Sequence, residues 1–460
     1  MNWYSVLQQT SGLFNGVKRF AIPISSGIYK FDRNSSEEKC RIHLRIDPDG
    51  TGTLLVNAAQ IYHLNPSATF MAFLFLSEKK ELEAVSRLAQ VYQIPAKQAK
   101  EDYSIFLPTL RALLHPNDTC PICDLDLEAN SPFSARPTAP YRMDLALTYR
   151  CNNNCAHCYN ARPRSFPEMT TGQWKQAIKR CWDLGIPHII FTGGEPTMRN
   201  DLPELISFAE SQGQITGLNS NGRRLADKDY LKTIVDAGLD HVQITFESAD
   251  EAIHDRLVCH PGAWQQTIAG IRNAVDSRLF VMTNTTLLQD NAGTMVDTLK
   301  MLGELQVPTV GLNALIYSGR GETVGTGLSE AALPELLNNA RNITTANHQK
   351  LIWYTPTQYC HFDPITLQLG IKGCTAACYN MCIEPDGAVL PCQSYYQPLG
   401  NILQDPWDSI WNHDISVSLR ERKNVPDGCS GCSLLQECGG GCPLHQLESQ
   451  PVPILQEIAY

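Results

Sequence analysis

Apolar residues fall into distinct patterns along the 460-residue chain, and the changes of pattern mark its parts. From residue 39 they come in short runs, "CRIHLRID", "GTLLVN" and "AQIYHLN", with the turn residues "DPDGTG" between the first two. Such runs read as three strands. Three longer segments follow: "PSATFMAFLFL", "KKELEAVSRLAQVYQI" and "AKQAKEDYSIFLPTLRALL". In the second, Leu82, Val85, Leu88 and Ala89 recur at helical spacing. The three are expected to be helices, so this part of the chain predicts a small α+β module.

Residues 116–140 carry Pro, Asn, Ser and Asp at loop density and read as a linker that also holds Cys120 and Cys123. From 141 to about 318 strand and helix patterns alternate. "RMDLALTY", "PHIIFT", "QITGLN", "HVQITFE", "LFVMTNTTL" and "TVGLNALIY" are the strands; "TTGQWKQAIKRCWDLG" and "TMVDTLKMLGELQ" are examples of the helices. Repeated βα units imply a parallel sheet. Six units fall short of a closed eight-stranded barrel, so a partial (β/α)6 barrel is expected. In such sheets chemistry gathers in the loops after the strand C-termini. Three unusual loops share that rim: "RCNNNCAHCYN" after the first strand, "GGEP" after the second and "NSNG" at the end of the third.

Net charge narrows the partners. A balance of -10 argues against nucleic acid, whose binders present a basic face. The N-terminus lacks the layout of a signal peptide, and no apolar run approaches the roughly 18 residues of a membrane span. A cytoplasmic protein with no membrane partner is expected.

Cysteine then dominates. In a cytosolic chain, 17 cysteines point to metal or redox chemistry rather than disulfides. Three cluster at 151–158 and eight at 374–442; the scattered Cys40, Cys181, Cys259 and Cys360 are read as inert, with Cys181 the clearest core candidate. Three thiolates on one short loop, Cys151, Cys155 and Cys158, suit three irons of a 4Fe–4S cube and leave the fourth iron open. Zinc sites pair one C-x-x-C with another, which is a different spacing. The cysteine-dense, Gly-rich tail "CSGCSLLQECGGGC" cannot build an apolar core alone, so metal is expected to help hold it.

The C-x-x-x-C-x-x-C spacing resembles the radical S-adenosylmethionine superfamily, with His157 at the usual aromatic position. The resemblance implies that the open iron chelates the cofactor's methionine end and that the catalytic cluster sits on Cys151, Cys155 and Cys158. It implies further cofactor contacts from Gly193, Gly194 and Glu195 of "GGEP", and from Asn219 and Asn221 of "NSNG". Glu247 and Ser248 of "TFES", Asn284, and Arg320 of "SGRG" complete the implied set.

The tail resembles the SPASM domain of the same superfamily. Cys374, Gly387 and Cys392 match its first block; Cys429, Cys432, Cys438 and Cys442 match its second. Two auxiliary 4Fe–4S clusters are thereby implied, three clusters in all. The nearer takes Cys374, Cys392, Cys442 and either Cys378 or Cys382; the farther takes Cys429, Cys432 and Cys438. The family's last cysteine has no counterpart after Cys442. Cys120 and Cys123 are the favoured replacements, ahead of His445 and Cys360, with an open iron as the remaining option.

"GTLLVN…YHLNPSA" followed by helices resembles the small chaperone of pyrroloquinoline quinone biosynthesis, a PqqD-like, winged-helix-like module that recognises precursor peptides. The expected organisation is 1–115 peptide recognition, 116–140 bridging segment, 141–345 radical domain and 346–460 auxiliary-cluster domain. Leader peptide would pair along Gln60 to Leu64, and a flavodoxin or ferredoxin would supply electrons. The expected activity is radical modification of a ribosomal peptide by crosslinking, thioether formation or backbone cleavage. A small-molecule radical enzyme and a non-catalytic electron carrier are the alternatives. Gln393, where sulfatase-maturing relatives would place an Asp, argues against that activity.

Overall fold

The computed structural model describes residues 24–34, 39–57, 60–114, 137–423 and 425–447. Cys120 and Cys123 lie outside these residues. The chain divides into two units between residues 138 and 139, and the short segment Trp182–Pro187 groups with the first. No helix among the described residues is long and apolar enough to cross a membrane.

In the first unit an antiparallel sheet runs in the order β1 (Gly27–Asn34), β2 (Lys39–Ile46), β3 (Gly52–Val56), β4 (Gln60–Leu64). β2, β3 and β4 are the three expected strands. β1 is an addition: its charged "KFDR" hides an alternation that only pairing with β2 completes. Gly50, at φ +85°, turns β2 into β3, and its N–H donates to Asp47 O at 2.9 Å. Helices Pro66–Leu76, Glu81–Tyr92 and Ala96–Leu114 follow. The Asn65 side chain accepts from Ala68 N–H at 2.9 Å, and Pro66 needs no N–H in the first turn. Alternate residues of β2, Ile42, Leu44 and Ile46, pack with Leu54, Val56, Ala72, Leu76 and Leu110. Leu82 does not join the core. It is 84% exposed, and Ala84 is buried with Val85 and Leu88. At about 100° per residue Ala84 lies about 40° from Leu88 around the helix, whereas Leu82 lies about 120° away.

The second unit is built on one ten-stranded sheet. Six parallel strands occupy the expected places: β5 (Arg142–Thr148), β6 (His188–Gly193), β7 (Ile215–Ser220), β8 (His241–Thr245), β9 (Phe280–Leu287) and β10 (Thr309–Ala314). Beyond β10 lies β11 (Lys350–Trp353), also parallel. On the other side, β12 (Asn380–Ile383) runs parallel beside β5, followed by the antiparallel β13 (Ala388–Leu390) and β14 (Gly400–Asn401). The order ends at β11 and β14, so the sheet stays open, as a partial barrel does. Strand interiors such as Met143, Leu145 and Leu147 are fully buried, as a sheet covered by helices requires. Cys181 packs in the helix Thr171–Asp183 beside Trp174 and Ile178, none of them exposed.

Candidate active site

The three-cysteine loop leaves the C-terminal end of β5 and is pinned from both sides. Asn154 N–H donates to Val258 O at 3.0 Å and Ala156 N–H to Leu257 O at 2.8 Å, which ties it to the helix Glu251–Val258. Arg223 donates to Asn152 O, and to Asn153 Oδ1 at 2.8 Å. Arg320 N–H donates to Cys158 O at 3.0 Å, and Arg320 Nη1 to Asn154 Oδ1 at 2.6 Å. Gly319, at φ +57°, lets this approach happen: a Cβ there would lie 2.5 Å from Tyr159 O.

Cys151, Cys155 and Cys158 are free thiols. Burial pushes the Cys151 thiol up to about 11, and its N–H contact with Asn153 opposes the rise. Burial, then the neighbouring Cys158, Glu247 and Cys151, hold Cys155 well above its ordinary value. Thiols crowded in this way resist ionisation until a cation is supplied, and a coordinating metal supplies it.

The "GGEP" turn after β6 lies directly against this loop. Gly194 N–H donates to Thr148 O at 2.7 Å and Glu195 N–H to Arg150 O at 2.9 Å. A Cβ on Gly193, at φ +133°, would strike Thr148 O; one on Gly194 would come within 2.5 Å of Arg150 O. The glycines thus permit loop-to-loop contact. Glu195 is fully buried. Its Oε1 accepts from Thr197 N–H, Thr197 Oγ1 and Ser220 Oγ at 3.1, 2.7 and 3.0 Å; Oε2 accepts from Asn221 N–H at 2.8 Å. Burial raises its carboxyl, and these donors oppose the shift. Asn221 also reaches Asn152 Oδ1 at 2.6 Å, whereas half-buried Asn219 pairs in register with Gln243 of β8.

His157 and Glu247 meet at 3.1 Å, Nε2 to Oε1, both buried. Oε2 of Glu247 accepts from Thr286 N–H at 3.0 Å. Ser248 is fully buried, and its hydroxyl is taken by Thr294 Oγ1 at 2.8 Å and Asp250 N–H at 3.0 Å, so it serves the turn itself. Buried polar atoms without a protein partner remain on the rim: His157 Nδ1, Asn284 Oδ1, Asn313 Oδ1 and Arg320 Nε. Such atoms cost stability unless something else satisfies them. Asn313, beside Thr286 at the end of β10, was missed in the sequence. A polar residue interrupting "TVGLNALIY" was its only signal.

A second feature was also missed. Arg164 lies 3.4 Å from the Tyr149 ring centroid and 4.9 Å from that of Tyr396. Tyr149 OH donates to Glu384 Oε1 at 3.0 Å and Tyr396 OH to Asn160 Oδ1 at 2.6 Å. These contacts bind the cysteine loop to the tail.

The tail thiols form two neighbourhoods. Burial pushes Cys392 and Cys442 up to about 12, and each feels Cys374. Cys378, raised to about 11 by burial, neighbours Cys374, Arg420 and Arg422; Cys382, inside β12, neighbours Asp144 and Cys392. Arg422 Nη1 donates to Cys374 O at 3.2 Å, and Arg420 Nη1 to Ala377 O at 2.9 Å. Gly387, at φ +90°, makes the turn between β12 and β13. In the other neighbourhood Cys429 feels Cys438, Cys360 and Cys432. His445 instead stacks on Tyr317, with ring centroids 4.7 Å apart, and faces Glu330 at 3.6 Å. Among the described residues no three His, Cys, Asp or Glu side chains close round a single ion.

Family models match twice: the radical SAM superfamily at residues 145–302 and the iron–sulfur cluster-binding domain SPASM at 374–433. The chain carries a radical SAM domain and a SPASM domain. Two curated relatives are each 28% identical. Fe-coproporphyrin III synthase of Methanosarcina barkeri aligns over 64% of this chain and 81% of its own length. AdoMet-dependent heme synthase of Nitratidesulfovibrio vulgaris aligns over 64% and 85%. Among solved structures, Streptococcus suis SuiB bound to precursor peptide SuiA superposes with a TM-score of 0.65 at 14% identity, over 93% of this chain and 97% of that one. Native anSMEcpe with bound AdoMet and Kp18Cys peptide gives 0.53 at 18%, over 65% and 89%. At these identities the likeness establishes the fold. A radical SAM domain with a SPASM domain implies S-adenosylmethionine and 4Fe–4S clusters. The three crowded free thiols and the unpartnered rim atoms fit a cluster and a polar ligand at this place.

Proposed function

We propose that the chain matures a ribosomally made peptide, binding its leader through the N-terminal module and modifying core residues at the rim of the parallel strands. The observation that carries this reading is the module itself. β4 stands at the edge of its sheet, with Ile61 38% exposed, and a peptide strand adds to such an edge through its main chain. The likeness to peptide-bound SuiB extends over 93% of the chain, whereas the curated relatives align over 64%. Tethering the leader raises the effective concentration of the core segment at the site.

When bound, S-adenosylmethionine on a reduced 4Fe–4S cluster supplies a 5′-deoxyadenosyl radical for hydrogen abstraction. Cys151, Cys155 and Cys158 would hold that cluster, with Asn284, Asn313 and Arg320 offering unsatisfied polar atoms beside it. Glu195 and Asn221 brace the loops that carry it. Three clusters in all and a flavodoxin or ferredoxin as reductant complete the proposal. A second reading, a tetrapyrrole as substrate, is supported by what the two curated relatives are named for.

Titration with short peptides from open reading frames flanking this gene tests the choice. Saturable binding, weakened at least about tenfold by Ile61→Pro, which removes a main-chain donor from the edge strand, is the expected result. A mass change in the bound peptide under reducing, anaerobic conditions with S-adenosylmethionine would follow. No binding and no mass change, alongside turnover of an iron coproporphyrin, would overturn it.

A further inference from the structure

The fold brings an upstream cysteine, Cys360, to the second cysteine group of the tail. After β11 the chain makes a tight turn through residues 355–362. Thr357 Oγ1 accepts from Trp353 Nε1 at 3.0 Å and donates to Thr355 O at 2.9 Å. His361 N–H and Phe362 N–H both donate to Gln358 O, at 2.9 and 3.0 Å. Tyr359 OH accepts from Lys372 N–H at 2.9 Å.

This turn is clamped onto the cysteine tail. Tyr359 N–H donates to Cys438 Sγ at 3.4 Å, and Cys438 Sγ lies 3.4 Å from Thr357 O. Backbone N–H donation to a ligating sulfur is a usual outer contact of an iron–sulfur cluster. Gly441 completes the clamp: at φ +83°, a Cβ there would come within 2.8 Å of Gln358 Cγ. Cys360 therefore sits one residue from a direct contact to Cys438 and in the neighbourhood of Cys429. It is exposed, so core packing does not explain it.

We propose that Cys360 supplies the fourth protein ligand of the iron–sulfur cluster held by Cys429, Cys432 and Cys438. The inference rests on the iron–sulfur reading of the tail and is independent of the substrate. It makes Cys120 and Cys123 unnecessary to that cluster and leaves its iron no open position.

Two measurements on the full-length, anaerobically reconstituted chain test it. The first is iodoacetamide labelling followed by peptide mass spectrometry, with exposed Cys259 as internal standard. Cys360 is expected to be at least about tenfold slower than Cys259 in iron-loaded protein and comparable after the iron is stripped. The second compares iron content and the electron paramagnetic resonance spectrum in a C151A/C155A/C158A background, where only tail clusters contribute. Adding C360A is expected to remove up to about four irons, or to open one iron to added imidazole with a shifted spectrum; adding C120A/C123A should change neither. Labelling of Cys360 at the Cys259 rate in loaded protein would overturn the proposal, as would parental iron and spectrum in C360A. C429A separates the causes. If it removes iron while C360A changes nothing, only the assignment of Cys360 fails. If C429A also leaves iron and spectrum untouched, the iron–sulfur reading of that neighbourhood fails with it.

Discussion

The two cysteine sets of the second unit are assembled in opposite ways. Cys151, Cys155 and Cys158 come from one loop at the end of one strand, and neighbouring loops hold that loop by main-chain bonds. The tail thiols are gathered from separated turns between Cys374 and Cys442, across β12, β13 and a glycine run in which Gly439, Gly440 and Gly441 all have positive φ. The first arrangement is preformed by the sheet. The second lacks a comparable frame and depends more on what it binds. The difference suggests where binding and folding are coupled, because a metal that orders its own ligands contributes to folding.

The largest expected effect separates the two sets outright. C151A/C155A/C158A should abolish formation of 5′-deoxyadenosine and remove roughly four irons, leaving the tail loaded. Loss of all the iron would show that the sets are not independent. Glycine substitutions should sharpen the contrast at about 1–3 kcal/mol. Gly193→Ala forces a Cβ into Thr148 O at φ +133°, so its melting temperature should fall whether or not iron is present. Gly441→Ala should lower the melting temperature chiefly in the iron-loaded protein. Equal drops in both states for both variants would break the comparison.

Near neutral pH the smallest effect belongs to the sheet alone. His188 and His241, at the N-terminal ends of β6 and β8, bring their Nε2 atoms to 2.8 Å. Burial, then Arg142, hold His241 down at about 4. Below its ordinary value near 6.5 the unfolded chain takes up a proton that the folded ring refuses. Stability should therefore fall with pH from about 6.5 to about 4 and level off below that. Between about pH 7.5 and 6 the loss should stay under about 1 kcal/mol. His241→Asn should flatten the slope in urea titrations of loaded and iron-free protein alike; an unchanged slope would remove His241 as its source.

What was legible in the sequence follows the same division. Six parallel strands and the loops "RCNNNCAHCYN", "GGEP" and "NSNG" could be read because period and spacing are local properties. β1 was not, since its pairing with β2 is what makes "GIYKFDRN" a strand. "GGEP" points to Gly193 and Gly194 as cofactor contacts; their space is spent on Thr148 and Arg150, which no spacing reveals. Ser248 looked like a ligand contact because it ends "TFES", yet the turn consumes its hydroxyl. Cys360 reads in the sequence as an inert scattered cysteine and, as a ligand, ranks behind Cys120 and Cys123. Only the turn after β11 gives it neighbours. The Tyr149–Arg164–Tyr396 stack was invisible for the same reason, joining positions more than two hundred residues apart.

One ladder ties these parts together. β12 pairs directly with β5, Cys382 opposite Asp144, and β5 ends at Thr148 just before Cys151. The distance from the cysteine loop to Cys382, the tail cysteine on β12, is thus set by strand spacings rather than by a hinge. Whatever the loop binds is therefore held at a set distance from the β12 end of the tail.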